Sequence, residues 1–277
     1  MRVTSDEPRI AFDVIGSDGP RVLLLMGFGM RGDMWQPQIE ALHADHQLCI
    51  VDNRGVGDSE CPPERWSMAD MAEDARRVLD TLQWPRAHVV GVSMGGMIAQ
   101  ELALAHPERV LSLALIATHA GGPLTWLPTF QGIRCFLRAQ TGNPQRRLRA
   151  LQDLLYPPDF VARYDSKQLA ERMRRAGRRA PIASLRSQLR AVIGHDTRSR
   201  LDRLRMPTLV VRPGEDILVR PRACDRLATR IPHARVLRLD EAGHGAIFQC
   251  AHTLNPALRQ HFEAAEPSHE DVQSGTG

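Results

Sequence analysis

Short apolar runs alternate with amphipathic stretches of helical periodicity along most of the chain. Apolar runs of strand length are typical of strands covered on both faces, and their alternation with helices indicates βα units around a parallel sheet. Arg9–Ile15 alternates in period two and predicts an early antiparallel strand. The predicted buried strands are Arg21–Met26, Leu48–Val51, His88–Val92, Leu111–Ala117, Thr208–Val211 and Val236–Leu239.

The amphipathic stretches between these runs predict helices that flank the sheet. The third helix ends at His106-Pro107, because proline disfavours the helical conformation in the residue before it. The predicted helices are Met34–Leu42, Met68–Leu82, Met94–Ala105, Pro221–Arg230 and Leu254–Ala264. Together these elements predict an α/β fold with a mostly parallel central sheet.

The segment from Gly121 to Arg203 interrupts this alternation. It contains no convincing strand, but its leucines recur at spacings of three and four residues, which indicates helices. We therefore predict a core domain formed by residues 1–120 and 204–265, a helical lid inserted at 121–203, and a disordered polar tail at 266–277.

Composition and cysteine usage are those of an ordinary globular protein. Apolar residues make up 43% of the chain and charged residues 25%. No early apolar run has the length of a membrane helix or a signal peptide, which predicts a cytoplasmic protein without stable membrane insertion. The five cysteines are scattered, odd in number and without C-x-x-C spacing, which argues against a disulfide framework or a zinc site.

The net charge of +4 is distributed unevenly. Residues 120–205 contain eighteen Lys and Arg against six Asp and Glu. A basic stripe can attract nucleic acid, anionic lipid or acidic substrates. Lys167 is the chain's single lysine, however, so arginine serves as its general surface cation, and we expect solvated helix surfaces and no nucleic-acid partner.

The candidate nucleophile is Ser93, within Gly91-Val92-Ser93-Met94-Gly95. The G-x-S-x-G pattern is weak by itself, but here a buried strand leads directly into it and a helix leads directly out. Such a sharp turn needs glycines where a Cβ would clash, and it places the serine hydroxyl above the edge of the sheet. The context therefore favours a nucleophilic serine over a plain glycine-rich turn.

A serine hydroxyl needs a neighbouring base to become a nucleophile at neutral pH. His244 is the best candidate, because it follows the last predicted strand in a loop with glycines on both sides. His119 also follows a strand at the carboxyl edge of the sheet, and we interpret it as a pocket residue. His43, His46 and His106 are interpreted as surface residues.

The base needs a carboxylate that orients it. Asp216 follows the strand Thr208–Val211 and gives the chain order Ser, Asp, His. Glu215 is chemically able, but it faces the opposite way if the segment is extended. Asp240 is too close to His244 in sequence and ends a strand.

An oxyanion formed during acyl transfer needs preorganised N–H donors. The amide of Met94 follows the nucleophile and is one candidate. The amide of Phe28, in the glycine-rich loop after Arg21–Met26, is the other.

These residues resemble the α/β-hydrolase superfamily over nearly the whole chain before the tail. Residues 52–59 (DNRGVGDS) are similar to the family's D-x-R-G-x-G-x-S loop, which braces the sheet edge; residues 216–219 resemble its acid segment and Gly243-His244 its base segment. Met26-Gly27 stands where the family usually has His-Gly, and Pro213 stands where it has glycine. Neither departure removes a catalytic group.

Within the superfamily, the chain looks most like small bacterial serine esterases and lipases with a helical lid. The resemblance implies two-step cleavage of a small ester through an acyl-enzyme on Ser93, without metal or cofactor. Trp126, Phe130 and His119 are the predicted substrate pocket. Carbon–carbon bond hydrolases, enol-lactonases, cofactor-free perhydrolases and a non-enzymatic receptor that keeps the triad remain open, as does the oligomeric state.

Overall fold

One sheet of eight strands runs through the residues that the computed structural model describes, which are 1–63, 65–141, 143–176 and 180–266. The strands are β1 (Arg2–Val3), β2 (Ala11–Ile15), β3 (Arg21–Leu25), β4 (Gln47–Val51), β5 (Ala87–Val92), β6 (Val110–Ile116), β7 (Thr208–Pro213) and β8 (Arg235–Leu239). Their order in the sheet is β1-β2-β4-β3-β5-β6-β7-β8.

The sheet is parallel from β4 to β8, and β2 is antiparallel to both β1 and β4. Val22 and Leu24 of β3 pack into one apolar cluster, whereas Leu23 and Leu25 pack into the other. Both faces of the sheet are therefore covered, as the continuous apolar runs predicted. The α/β fold with its mostly parallel sheet is confirmed.

Helices cover the two faces separately. Side chains of α2 (Met68–Thr81), α3 (Met94–Ala105) and α9 (Pro221–Ala228) belong to one apolar cluster. Side chains of α1 (Gln36–Leu42), α10 (Ala246–Gln249) and α11 (Ala251–Glu263) belong to the other. Across the described residues, no helix combines the length and the apolar character that crossing a membrane requires.

Helices fill the long connection between β6 and β7. They are α4 (Phe130–Gln140), α5 (Pro144–Leu155), α6 (Pro158–Arg163), α7 (Ser166–Ala176) and α8 (Ile182–Gly194). An isolated bridge joins Gly121 to Asp196, and the Thr197 amide donates to the Ala120 carbonyl at 2.9 Å. The connection thus leaves and re-enters the core at adjacent points, which is the geometry that a lid needs. The role of a lid stays a prediction, and residues 267–277 of the predicted tail lie outside the described residues.

The loop of residues 52–59 ties several core elements together. The Asp52 carboxylate accepts the Gly32 amide at 2.7 Å, and the Asn53 side chain donates to the Met26 carbonyl at 2.7 Å. The Arg54 guanidinium donates two hydrogen bonds to the buried Asp74 of α2, at 2.6 and 2.7 Å. The loop therefore fixes the carboxyl end of β3, beside the turn that holds Ser93.

Candidate active site

Ser93 occupies a strained turn between β5 and α3. Its φ is 56° and its ψ is −120°, a combination that residues with a side chain rarely adopt and that persists only where the surroundings enforce it. The Ser93 amide donates to the Ile116 carbonyl at 2.8 Å, and the Thr118 hydroxyl donates to the Ser93 carbonyl at 2.7 Å. These bonds hold the serine at the carboxyl edge of the sheet.

The flanking glycines are required by close backbone contacts. A Cβ on Gly91 would lie 2.3 Å from the Gly95 carbonyl oxygen, and one on Gly95 would lie 2.0 Å from the Leu25 carbonyl oxygen. Both distances are far below van der Waals contact, and both neighbours are backbone. The predicted reason for glycine in this motif therefore applies at these two positions.

His244 and Asp216 form a buried pair at the same edge of the sheet. His244 Nδ1 lies 2.7 Å from Asp216 Oδ2. Asp216 Oδ1 accepts the backbone amides of Leu218 at 2.8 Å and Val219 at 2.9 Å. The carboxylate is therefore held from three directions, and His244 is oriented through one ring nitrogen.

The two competing acids lie elsewhere. Glu215 is exposed, as expected for the residue beside an inward-facing Asp216 in an extended segment. Asp240 is also exposed, and its carboxylate lies 3.1 Å from the Arg212 guanidinium. Of the three acids considered from the sequence, the structure places Asp216 against His244.

The three histidines predicted at the surface, His43, His46 and His106, contact residues outside the Ser93 turn, with one difference from expectation. His106 is partly exposed and lies 3.2 Å from Glu73, and His43 contacts the carbonyl of its own helix. His46 was predicted at the surface but is buried, because its ring packs 5.6 Å from the ring of Phe262 on α11. This burial lowers the pKa of His46.

The two predicted oxyanion donors belong to residues that line the same cavity as Ser93. Met94 is the first residue of α3, where an amide has no acceptor within the helix. The Phe28 amide donates to no acceptor among the described residues. Next to it, the Gly29 amide donates to Gln188 Oε1 at 2.8 Å, and the Gln188 side chain also donates to the Arg54 carbonyl at 3.3 Å. A buried glutamine of α8 thus holds the Phe28 loop in place.

A cavity of about 590 Å³ opens beside Ser93. Ser93, His244, Phe28 and Met94 line it, and the helical connection supplies most of its apolar wall. The larger apolar side chains from that connection are Trp126, Leu127, Ile133, Phe136, Leu137, Leu148, Leu151, Leu154, Leu155, Leu185, Leu189 and Val192. The arrangement can hold an apolar chain whose reactive carbonyl lies at Ser93.

Two of the three predicted pocket residues line this cavity, and one does not. Trp126 and His119 are part of the wall. Phe130 is 83% exposed and lies outside it. Phe130 is the first residue of α4, and helical side chains lean toward the amino end of their helix, so its ring projects beyond the end of the helix. Phe136, further along α4, contacts Phe28 at 6.0 Å between ring centroids and takes the place expected of Phe130.

His119 is a buried, neutral wall residue. Its Nδ1 accepts the Gly121 amide at 3.0 Å, so the proton of the neutral ring is on Nε2. Burial lowers the pKa of His119 to about 4. A ring in this state can donate one hydrogen bond within the cavity, while His244 keeps the carboxylate partner that a general base needs.

Buried histidines predict a fold that is sensitive to acid. Burial also lowers the pKa of His195 to about 3 and that of His261 to about 4, whereas a histidine in the unfolded chain keeps a pKa of 6.5. At pH values between the folded and the unfolded pKa, the unfolded chain binds more protons than the folded protein. The contribution of these neutral histidines to the free energy of unfolding is complete above pH 6.5. It is lost toward pH 4, by about 1.4 kcal/mol per pH unit for each histidine.

Unfolding by guanidinium chloride at several pH values between about 7.5 and 4.5 measures how stability depends on pH. We expect His261→Gln to reduce the slope of stability against pH below 6.5, because one depressed group is removed. The exposed His252→Gln is the control. Equal slopes for all three proteins would contradict the prediction.

The strand order, with a serine held in a strained turn after β5, defines the α/β-hydrolase class of proteins. A family profile described as alpha/beta hydrolase fold matches residues 20–250, and the chain belongs to this family.

Relatives and solved structures agree with this assignment. The chain is 34% identical over 233 residues to an Azorhizobium caulinodans protein provisionally named carbamate hydrolase RutD, covering 84% of this chain and 87% of the relative. A hydrolase from Pseudomonas aeruginosa superposes with a TM-score of 0.80 at 28% identity, covering 93% and 96% of the two chains. The enol-lactonase from Burkholderia xenovorans superposes with a TM-score of 0.80 at 25% identity, covering 92% and 96%. The protein is a hydrolase of this family.

Proposed function

We propose that the protein is a serine hydrolase that cleaves a carboxylic ester through an acyl-enzyme on Ser93. The observation that carries the proposal is the contact of 2.7 Å between His244 Nδ1 and Asp216 Oδ2, since His244 lines the same cavity as the strained serine. A histidine whose Nδ1 is held by a carboxylate presents Nε2 as the base.

The reaction proceeds in two halves. Ser93 Oγ attacks the ester carbonyl carbon while His244 Nε2 accepts the hydroxyl proton, and Asp216 stabilises the resulting imidazolium. The amides of Phe28 and Met94 donate to the oxyanion. His244 then gives its proton to the departing alkoxide as the C–O bond breaks. A water molecule attacks the acyl-enzyme in the same way, which releases the acid and restores Ser93.

The cavity favours an ester with an apolar acyl chain. Its wall consists largely of apolar side chains, including Leu, Met, Phe and Trp, and the burial of an apolar group against them is favourable. A volume of about 590 Å³ exceeds what a small polar substrate fills. The apolar chain would lie against the helices between β6 and β7, which we propose act as a lid that selects substrates.

Carbamate hydrolysis is the second candidate, and the provisional name of the Azorhizobium caulinodans relative favours it. A carbamate also has a carbonyl that Ser93 could attack, so the same groups would form a carbamoyl-enzyme. An enol-lactone is an internal ester and would follow the same path. Rates on an acyl ester, an enol-lactone and a carbamate, measured side by side, discriminate among these substrates.

Covalent labelling tests the proposal directly. A fluorophosphonate should modify one serine, which peptide mapping should identify as Ser93. Covalent modification of a different serine would show that the nucleophile lies elsewhere. An unlabelled protein that is folded and binds substrate analogues would favour a receptor.

Trp126→Ala is expected to change the preference for acyl chain length. Truncation of this wall residue removes part of an apolar subsite, so the kcat/KM ratio of octanoate ester over acetate ester should fall about 10- to 100-fold. Phe130→Ala is the matched control, because its ring lies outside the cavity. An unchanged ratio in Trp126→Ala would remove this residue from the acyl site. An equal loss on both esters would mean that the helices support the core and do not select substrates.

A further inference from the structure

Arg147 is a charged residue in the apolar wall of the cavity. It lies on α5 among leucines that line the same cavity, Leu148, Leu151, Leu154 and Leu155. Its Nε is buried and has no hydrogen-bond partner. Among the described residues, no carboxylate forms an ion pair with its guanidinium. The other arginine of the wall, Arg174, pairs with Glu171 instead.

The buried Nε of Arg147 has no hydrogen-bond partner although the side chain as a whole is partly exposed, and such an atom is unfavourable. A buried N–H that has lost its water and has no partner destabilises the fold, and more so when the group is charged. Leucine or methionine would fill the same place without this cost. A ligand that supplies an acceptor would satisfy the guanidinium, and a carboxylate matches its planar fork in two hydrogen bonds.

The position of Arg147 on α5 sets a length scale for the ligand. The carboxyl end of α5 is tied to the histidine loop, because the Gly245 amide donates to the Leu155 carbonyl at 2.8 Å. Arg147, Leu151 and Leu155 are spaced by four residues and so follow one stripe of the helix. Eight residues of α-helix span about 12 Å. The backbone of Arg147 therefore lies about 12 Å along α5 from the end that is tied to the His244 loop.

We propose that the cavity binds an ester whose apolar chain ends in a carboxylate, and that Arg147 holds this carboxylate. The inference rests on the proposed function, since it places the reacting carbonyl at Ser93. A separation of about 12 Å corresponds to about ten bonds of extended chain. The substrate class is thus a monoester of a medium-chain dicarboxylic acid, which combines an apolar middle with two polar ends as the cavity does.

Two esters that differ at the far end test this subsite. Monomethyl azelate ends in a carboxylate, and methyl 9-hydroxynonanoate has the same chain with a neutral end. The parent protein should show a higher kcat/KM for the azelate ester. In Arg147→Met, the azelate/hydroxynonanoate ratio should fall about 10- to 100-fold, as expected for the loss of a charge-assisted pair.

Arg146→Met is the matched control. It removes the same charge from the neighbouring position of the same helix, but the Arg146 side chain is exposed and does not line the cavity. Its ester ratio should stay within about twofold of the parent. An equal fall in both variants would mean that Arg147 acts only through the general positive charge of the helices, which would overturn the subsite.

The subsite and the proposed function fail in different ways. A parent protein that hydrolyses both esters but prefers the neutral end tenfold overturns the subsite and leaves the serine hydrolase in place, whether or not Arg147→Met folds. If neither ester is hydrolysed, calorimetric titration of Ser93→Ala with both esters decides. Tighter binding of the azelate ester that is lost in Ser93→Ala/Arg147→Met supports the subsite, and equal binding of the two esters overturns it.

Discussion

Ser93→Ala is expected to lower kcat on an activated ester by about 10⁵- to 10⁶-fold, since the nucleophile and its base act as one unit. The remaining groups could still bind the ester and polarise its carbonyl, so a small rate above that of water should persist. KM should change little, because the hydroxyl contributes mainly to the transition state. The measurement is kcat on a p-nitrophenyl ester, with fluorophosphonate labelling in parallel.

The variant should also fold. Alanine needs the same unusual backbone as serine, and the Ser93 amide and carbonyl keep their bonds to Ile116 and Thr118. We expect a change in Tm within about 3 °C. Ser112→Ala is the control, because this buried serine contacts His88 and lies outside the cavity. Hydrolysis by Ser93→Ala at the parent rate would mean that no acyl-enzyme forms at this position.

The central site was predictable because its signals are local. A buried strand followed by G-x-S-x-G and a helix admits few structures, and the edge of a parallel sheet brings the ends of successive strands together. Asp216 and His244 follow β7 and β8, so the chain order and the sheet order placed them near each other. Whether they serve Ser93 as acid and base stays a prediction until the variants are measured.

The wall of the cavity was less predictable, because it depends on helix orientation. Phe130 and Phe136 belong to the same helix and have the same chemistry, yet one is exposed and the other lines the cavity. The position of a residue relative to the first turn of its helix decides whether its side chain is exposed or faces the cavity. The sequence defines the ends of helices poorly. For the same reason, the sequence groups Arg147 with the other arginines as a surface cation.

Long-range bonds from side chain to backbone gave no signal in the sequence. Gln188 holds the amide of Gly29 from 159 residues away, and Thr118 holds the carbonyl of Ser93 from 25 residues away. Gln188 is fully buried on α8, where the other buried residues are Ser184 and Ala191, and this pattern does not indicate a partner for its amide. Its partner could be identified only after the fold was known.

Asp216→Asn is expected to lower kcat by about 10⁴-fold while the protein stays folded. Asp216 Oδ1 accepts the amides of Leu218 and Val219, and only an oxygen can keep both bonds. The side-chain nitrogen of asparagine must then replace Oδ2 and donate to His244 Nδ1. That donor forces the imidazole proton onto Nε2, the atom that has to accept the proton of Ser93. The ring would stay in place but in the wrong tautomer.

Glu215→Gln separates this effect from a general loss of charge near the site. The Glu215 side chain is exposed. The hydrogen bond from its backbone amide to the Ala242 carbonyl does not involve the carboxylate. We expect its kcat to stay within about threefold of the parent, as for most surface substitutions. Since Asp216→Asn changes only the tautomer of His244, the KM of this variant should remain near the parent value. A large loss in Glu215→Gln with a small one in Asp216→Asn would move the carboxylate role to Glu215. Small losses in both would mean that His244 works without either acid, and would leave the pair at 2.7 Å as a structural contact.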